Sequence, residues 1–391
     1  MSSATKICVF TRTWLSSGAG LFAQELVAGL VEAGANVTFV APSAEKPVYE
    51  TPRPRLKRLR APRERRDNAP KAVRALASLA RVVVGTLQAL RARLSNRLFI
   101  VTIPEPLPFA VPMLALLWLT GARIIFVAHD PLPHAWSLPR KLHGFERWLH
   151  GVCYRLARVV VVLSEPSRTR LLEAYPQVSC PVEVIEHGVF ILEQVSAVPG
   201  SGQLLLFGTL RRNKGVREAI EGTILAARQG VPVRLLVAGE PYKEEPDYWR
   251  ECLELAQSAP DVVTLSVGYV PDEEMETLFS QSDALILPYQ EFFSQSGVAM
   301  MAASNGRPII ATRAGGVGAL IAEGMPASAI AAPVDGASVA QAIAAFYATP
   351  REDWQQAVQA YQAYTREHRS WAAIGRHYLT LASSLTGRLE A

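Results

Sequence analysis

The chain has 391 residues, 49% of them hydrophobic, with a formal net charge of +5 and a pI near 9.1. That length predicts two domains, that apolar content is enough for buried parallel sheets, and the basic balance suggests an anionic partner without naming one. No run of about 18 uninterrupted apolar residues occurs, so no transmembrane helix is expected. The opening MSSATKICVF lacks the charged-then-apolar order of a signal peptide. Cys8, Cys153, Cys180 and Cys252 are scattered without CxxC or metal-type spacing, which predicts structural thiols in a reducing cytoplasmic setting and no bound metal.

In chain order, Lys6 to Thr11 reads as a buried strand, Arg12 to Gly20 as a loop, Leu21 to Ala33 as a helix and Val37 to Val40 as a second strand. Gly18-x-Gly20-x-x-Ala23 matches a dinucleotide fingerprint only superficially. Gly18 lies seven residues past Thr11, and the second strand ends in Ala41-Pro42 with no acid for a ribose 2′-OH, which disfavours an NAD dehydrogenase. A glycine-rich loop approached by some other phosphate fits better. Residues 51 to 97 carry fourteen Lys and Arg against only Glu64 and Asp67, and Val73, Leu76, Leu79, Val83 and Leu87 give the second half a helical apolar stripe. Two readings stand here: a basic amphipathic surface meeting anionic lipid, which the one-sided charge favours, or a solvated loop followed by an ordinary packed helix. Nucleic acid is disfavoured, because no aromatic residues interleave the charges.

Leu98 to Thr102 and Ala122 to Ala128 are further strands, and the second places His129 and Asp130 at a strand's carboxyl end. Pro131 to Trp148 is rich in Trp, His and Arg, as a second interfacial patch or an acceptor wall would be. Strands over Val159 to Leu163 and Val182 to Ile185 complete the first half. Ile191 to Gln203 reads as a linker. The pattern then restarts with a strand (Leu204 to Phe207), the basic loop Gly208-Thr209-Leu210-Arg211-Arg212-Asn213-Lys214-Gly215, and a helix. Arg212 and Lys214 sit between glycines at a strand end, where they would clamp a pyrophosphate. Strands over Val233 to Ala238 and Val262 to Val267 follow. From Leu287 to Gly316 the chain reads as strand, polar loop (Ser294 to Gly297), helix and strand. This βαβ unit has its loop where open α/β sheets bind ligands, and its helix N-terminus suits a phosphate. Helices over Ser338 to Ala348 and Trp354 to Leu385 end the chain.

Read together, the Gly18–Gly20 loop, VAHD (127–130), VVVVLSE (159–165), VIEHGV (184–189), LLLFGTLRRNKG (204–215), LLVAGE (235–240), GYVPDEEMETLFSQSDALILPY (268–289) and QSGVAMMAASNGRPIIATRAGG (295–316) resemble, in order and spacing, retaining glycosyltransferases of the GT-B fold, family 4. The resemblance implies an α/β chain of two Rossmann-like domains facing across a cleft. These are an N-terminal acceptor-side domain (1–190), a linker (191–203), a donor domain (204–365) and a C-terminal helix (366–391) returning to the N-terminal domain. It implies transfer of a sugar from a nucleotide-diphosphate donor to a lipid-linked or polysaccharide acceptor, with retention and without a metal or other cofactor. In that reading Arg212 and Lys214 hold the diphosphate, Gly18 and Gly20 close on it, and His129 touches the donor sugar. Gly208, Gly239, Tyr269, Glu291, Ser296, Gly297 and Val298 make further donor contacts. The implied setting is cytoplasmic, peripheral at the inner membrane face where 53–97 meets anionic lipid, and no nucleic acid is a partner.

One departure stands out. The family often has two glutamates eight residues apart in the last segment, but the corresponding slots here are Phe293 and Met301, or Ser294 and Ala302, and Glu291 is the nearest carboxylate. The missing pair keeps two alternatives open: a catalytically silent nucleotide-sugar-binding partner of a glycosylation complex, and a nucleotide-sugar 2-epimerase.

Overall fold

The computed structural model describes residues 4–13, 18–43, 53–62, 70–102, 107–132, 138–192, 195–290 and 296–387. The chain divides into two compact units, Met1–Gly188 with Arg369–Ala391, and Val189–His368.

In the first unit seven described strands form a parallel sheet: β1 (Lys6–Thr11), β2 (Asn36–Pro42), β3 (Leu56–Ala61), β4 (Leu98–Thr102), β5 (Arg123–Ala128), β6 (Val159–Val162) and β7 (Val182–Val184), in the order β3-β2-β1-β4-β5-β6-β7. KICVFT, LFIVT and VVVV are near-continuous apolar runs because helices cover both faces of such a sheet. The connecting helices are α1 (Gly18–Glu32), α2 (Lys71–Arg93), α3 (Leu107–Leu119), α4 (His143–Leu156) and α5 (Glu165–Ala174). Helices α2, α3 and α4 pack on one face through Ala89, Ala92, Met113, Leu117, Leu149 and Tyr154, against Phe99, Val101 and Phe126 of the sheet. On the other face α1 contributes Phe22, Leu26 and Leu30.

The second unit repeats the plan. Its described sheet, also parallel, runs β10-β9-β8-β11-β12-β13, from β8 (Gln203–Phe207), β9 (Arg234–Gly239), β10 (Val263–Val267), β11 (Ala284–Leu287), β12 (Ile309–Ala311) and β13 (Ala327–Ala329). Its helices are α6 (Val216–Arg228), α7 (Pro246–Gln257), α8 (Asp272–Gln281), α9 (Gly297–Ser304), α10 (Gly315–Ala322), α11 (Gly336–Ala348) and α12 (Arg351–Tyr364). Buried Arg307 ties the start of this unit down: its Nε donates to the Phe279 carbonyl (2.8 Å), and Nη1 and Nη2 donate to the carbonyls of Ala197 and Ser196 (each 3.0 Å). After a π turn at Thr365–Arg369 comes α13 (Trp371–Gly387), which belongs to the first unit and lies on α1 with Ile374 and Tyr378 buried. The α1–α13 crossing is close enough that only glycine fits at Gly29 and Gly375.

Four local readings are corrected. Helix α1 begins at Gly18 rather than Leu21, so Gly18 and Gly20 form its first turn instead of a loop; helical backbone tolerates glycine there, and the first N–H groups have no intrahelical acceptor to lose. Residues 56–61 are an edge strand rather than loop, since LKRLRA needs to bury only Leu59 and Ala61. Helices α4, α5, α7 and α10 and strand β13 are additions to the sequence reading; α10 and β13 are short, whereas α7 is amphipathic, with Tyr248, Cys252 and Ala256 buried along one face. Finally, Ala72–Arg93 does satisfy the length and composition of a membrane-crossing segment: although the span carries four arginines, an 18-residue stretch within it reaches a mean hydropathy of 1.4 with no more than two charges. Its inner side is nevertheless built into the unit: Val82, Ala89 and Ala92 are buried, and Arg12 Nη2 donates to Thr86 Oγ1 at 2.9 Å.

Candidate functional site

In the second unit the strand order reverses between β8 and β11, the place where open α/β sheets form a ligand crevice beyond the strands' carboxyl ends. The loop after β8 carries the cations and the loop after β11 leads into α9. The two loops are stitched by the Gln290 amide, which donates to the Asn213 carbonyl at 3.1 Å. Gly215 (φ 66°) turns the first loop into α6 and fits only as glycine, because a Cβ there would lie 2.1 Å from the Pro288 carbonyl oxygen. Gly208 and Gly239 make the next close approach: a Cβ on Gly239 would meet the Gly208 carbonyl at 1.8 Å, and Gly208 itself faces the Val298 side chain.

Lys214 is half-buried, its ammonium 3.7 Å from the centroid of the Tyr289 ring. Burial, and then the neighbouring Arg211 guanidinium, lower its pKa to about 7. A cation so placed, facing another cation, gains from the arrival of an anion. Tyr289 is itself fixed, its hydroxyl 3.0 Å from Ser296 Oγ and its carbonyl accepting from Thr312 Oγ1 at 2.7 Å. Ser296 is buried and caps α9 by accepting the Ala299 amide at 3.2 Å. The amides of Gly297 and Val298 in the first turn of α9 have no acceptor among the described residues, and the space where a Gly297 side chain would stand is open. One side of the crevice is therefore cationic and the other is a positive helix terminus.

The structure sorts the sequence candidates. Lys214, Ser296, Gly297, Val298 and Gly208 come together at this crevice, with Gly239 behind Gly208. Arg212 is exposed; its amide donates to Glu245 Oε2 at 2.7 Å and its guanidinium stacks 4.5 Å above the Tyr248 ring of α7. Arg211, which sequence reasoning passed over, is the arginine within electrostatic reach of both Lys214 and Tyr289, and its buried Nε has no hydrogen-bond partner among the described residues. Only the doublet Arg211-Arg212 hinted at it. Tyr269 lies beyond edge strand β10 and is 73% exposed, with no described contact to the crevice. Glu291 lies outside the described residues, as do Phe293 and Ser294 of the glutamate slots. Of the other two slots, Met301 packs against the core and Ala302 is fully buried.

In the first unit the sheet reverses between β1 and β4, and α1 presents Gly18 and Gly20 beyond the carboxyl end of β1. His129 follows β5. Its ring meets Phe22 edge-on with centroids 4.4 Å apart, and its buried Nε2 has no hydrogen-bond partner among the described residues. Burial, then the nearby His187, hold its pKa down at about 4 against the opposing pull of Asp130, so His129 is a neutral imidazole at pH 7. It offers a hydrogen bond to a polar group and no charge.

Two family models match the chain: "Glycosyltransferase Family 4" over residues 16–191 and "Glycosyl transferases group 1" over residues 201–349. Glycogen synthase of Mycobacterium tuberculosis is 26% identical over 245 residues, 61% of this chain and 56% of that protein. The chain thus matches little more than half the length of that curated relative. Among solved structures, sucrose-phosphate synthase from Thermosynechococcus elongatus superposes with a TM-score of 0.70 at 17% identity, covering 98% of this chain and 100% of that one. Anabaena HepE in complex with UDP superposes with a TM-score of 0.69 at 16% identity, covering 97% and 100%.

Proposed function

Because the chain belongs to the glycosyltransferases, with a family 4 region followed by a group 1 region on a GT-B fold, we propose that it moves a hexosyl group from a nucleotide-diphosphate sugar to a lipid-linked or polysaccharide acceptor, with retention and without a metal. The observation that carries this reading is the crevice between β8 and β11, where half-buried Lys214 and neighbouring Arg211 stand opposite the free amides of Gly297 and Val298. The difficulty in the reaction is the charge that develops on the departing diphosphate. Here the sugar's anomeric C–O bond breaks, its electron pair goes to the terminal phosphate oxygen, and fixed positive charge is already in place to receive it. The acceptor oxygen bonds to the anomeric carbon on the same face, and its proton passes to the leaving phosphate oxygen. Lys214 supplies the nearest full charge, Arg211 or Arg212 the second, and the α9 terminus two amide donors. Gly208 allows a close approach of the nucleotide to the backbone, and Gly239 behind it leaves space for the Gly208 carbonyl. Neutral His129, Gly18 and Gly20 are assigned donor contacts as well, His129 as a hydrogen-bond partner of a sugar hydroxyl. Tyr269 and Glu291 are assigned the remaining donor contacts. The same reading places the protein at the cytoplasmic face of a membrane, with the basic stretch 53–97 toward anionic lipid.

A panel of nucleoside diphosphates tests this, with UDP first because solved neighbours hold it. A nucleotide that binds only the folded state raises the thermal midpoint, by about 2.7 kcal/mol of stabilisation at a hundred times its Kd. One diphosphate is expected to raise it strongly and its monophosphate weakly. No shift with any of the common nucleoside diphosphates would contradict the proposal.

A further inference from the structure

Most of the large apolar side chains that the first unit leaves exposed lie on one helical layer. On α2 they are Val73, Leu76 (67% exposed), Leu79, Val83 and Leu87 (59%); on α3 they include Leu116 and Trp118 (54%). At α4 they are Leu142, Phe145 and Trp148 (55%), the last two with rings stacked 5.8 Å apart. The three helices are neighbours on the same face of the sheet, joined through one core beneath them. From Ala72 to Arg81 not one residue is buried, so the first half of α2 keeps an apolar stripe in solvent. Single exposed leucines are ordinary, but a layer of them is not. The adjoining residues 63–69, Arg-Glu-Arg-Arg-Asp-Asn-Ala, offer no large apolar side chain to cover it.

The charge is as one-sided as the apolar surface. Residues 70–158 hold twelve Lys and Arg against three Asp and Glu, in a chain whose net charge is only +5. At Trp118 the layer borders a cavity of about 420 Å³ at the amino ends of β5 and β6, whose wall, among the described residues, includes Arg123, Arg155 and Arg158 and no acidic residue. A second copy of the chain would bring like charges face to face across such a surface. A duplex nucleic acid would satisfy the arginines and leave the leucine stripe in water. An anionic bilayer satisfies both: apolar side chains and Trp rings enter the headgroup boundary while Arg and Lys stay among the phosphates.

We propose that the α2–α3–α4 face is a monotopic membrane-binding surface for anionic lipid, with α2 lying in the plane of the interface and the arginine-walled cavity receiving headgroup phosphate. This deepens the reading of a membrane-resident acceptor, yet binding to lipid needs no transfer activity, so each idea can fail alone.

Co-sedimentation with phosphatidylcholine vesicles, with and without 30 mol% phosphatidylglycerol, tests it. Expected are binding at least about tenfold tighter to the anionic vesicles and weakening with salt. Leu76→Ser with Leu87→Ser should lower partitioning about tenfold or more. Arg74→Glu with Arg91→Glu should abolish the preference for anionic lipid. Both double variants should keep the wild-type Tm and nucleotide response, since all four side chains are exposed. The proposal is overturned by absence of binding to anionic vesicles, by equal binding to neutral ones, or by binding that both variants retain. It is equally overturned by a wild-type dimer that the leucine variant splits, or by a DNA duplex that binds more tightly than the vesicles.

Discussion

Lys214→Ala is expected to lower sugar transfer by about a thousandfold or more while leaving the fold intact. The ammonium is half-buried over the Tyr289 ring beside another cation, and burial disfavours its charged form. Removing it deletes the donor nearest the leaving diphosphate, and preorganised donors of this kind contribute a few kcal/mol each to the transition state. Because the charge is desolvated, the alanine variant should melt at the wild-type temperature or slightly above. Steady-state transfer and a thermal melt on the same preparation decide it. Wild-type turnover in the variant would remove Lys214 from the chemistry. A collapsed Tm would mean the lysine is structural.

The largest stability effect is expected at Gly29. An alanine Cβ there would lie 2.0 Å from the Trp371 carbonyl oxygen, and one on Gly375 would lie 2.2 Å from the Gly29 carbonyl carbon. These are backbone atoms of two packed helices, so relief requires moving α13 off α1. The helix-propensity gain of alanine over glycine, about 1 kcal/mol, is outweighed by a steric cost of roughly 3 kcal/mol or more. Gly29→Ala should therefore destabilise the first unit by about 2 kcal/mol or more. Gly144→Ala on α4 is the control: a Cβ there meets nothing within 4 Å, and the change should be neutral or slightly stabilising. Denaturant melts of both variants measure the contrast. Equal stability of the two would show that the α1–α13 contact yields without strain.

These two positions also show what sequence can and cannot carry. Lys214 was legible because a buried apolar run, a glycine and a cation before a helix mark a strand's carboxyl end, and strand ends are set by local pattern. The polar loop before α9 was legible for the same reason, whereas the capping role of Ser296 emerges only in the structure. Which member of Arg211-Arg212 reaches Lys214 was not: Arg211 is extended and Arg212 begins a tight turn, so adjacent side chains diverge, and spacing alone does not fix direction. Gly29 and Gly375 are far apart in the chain, and each reads as an ordinary helical glycine until α13 is laid on α1. Strand β3 was hidden because an edge strand buries one face only, and three of its six positions, Lys57, Arg58 and Arg60, are charged. The apolar stripe of α2 was visible as periodicity, but its junction with Trp118, Phe145 and Trp148 is a product of packing order.

The central claim is that Lys214 meets the diphosphate of a nucleotide. Its pKa is about 7 in the free protein, so above pH 7 it is mostly neutral and must take up a proton when the anion arrives. The phosphate's own second ionisation lies near pH 6 and is complete in that range. Calorimetric titration of the nucleoside diphosphate between pH 7 and 9, in buffers of different ionisation enthalpy, is the direct test. The account predicts affinity that weakens by up to about tenfold per pH unit, with proton uptake rising toward one, both lost in Lys214→Ala. Tight binding with constant affinity and no proton uptake across that window would contradict it.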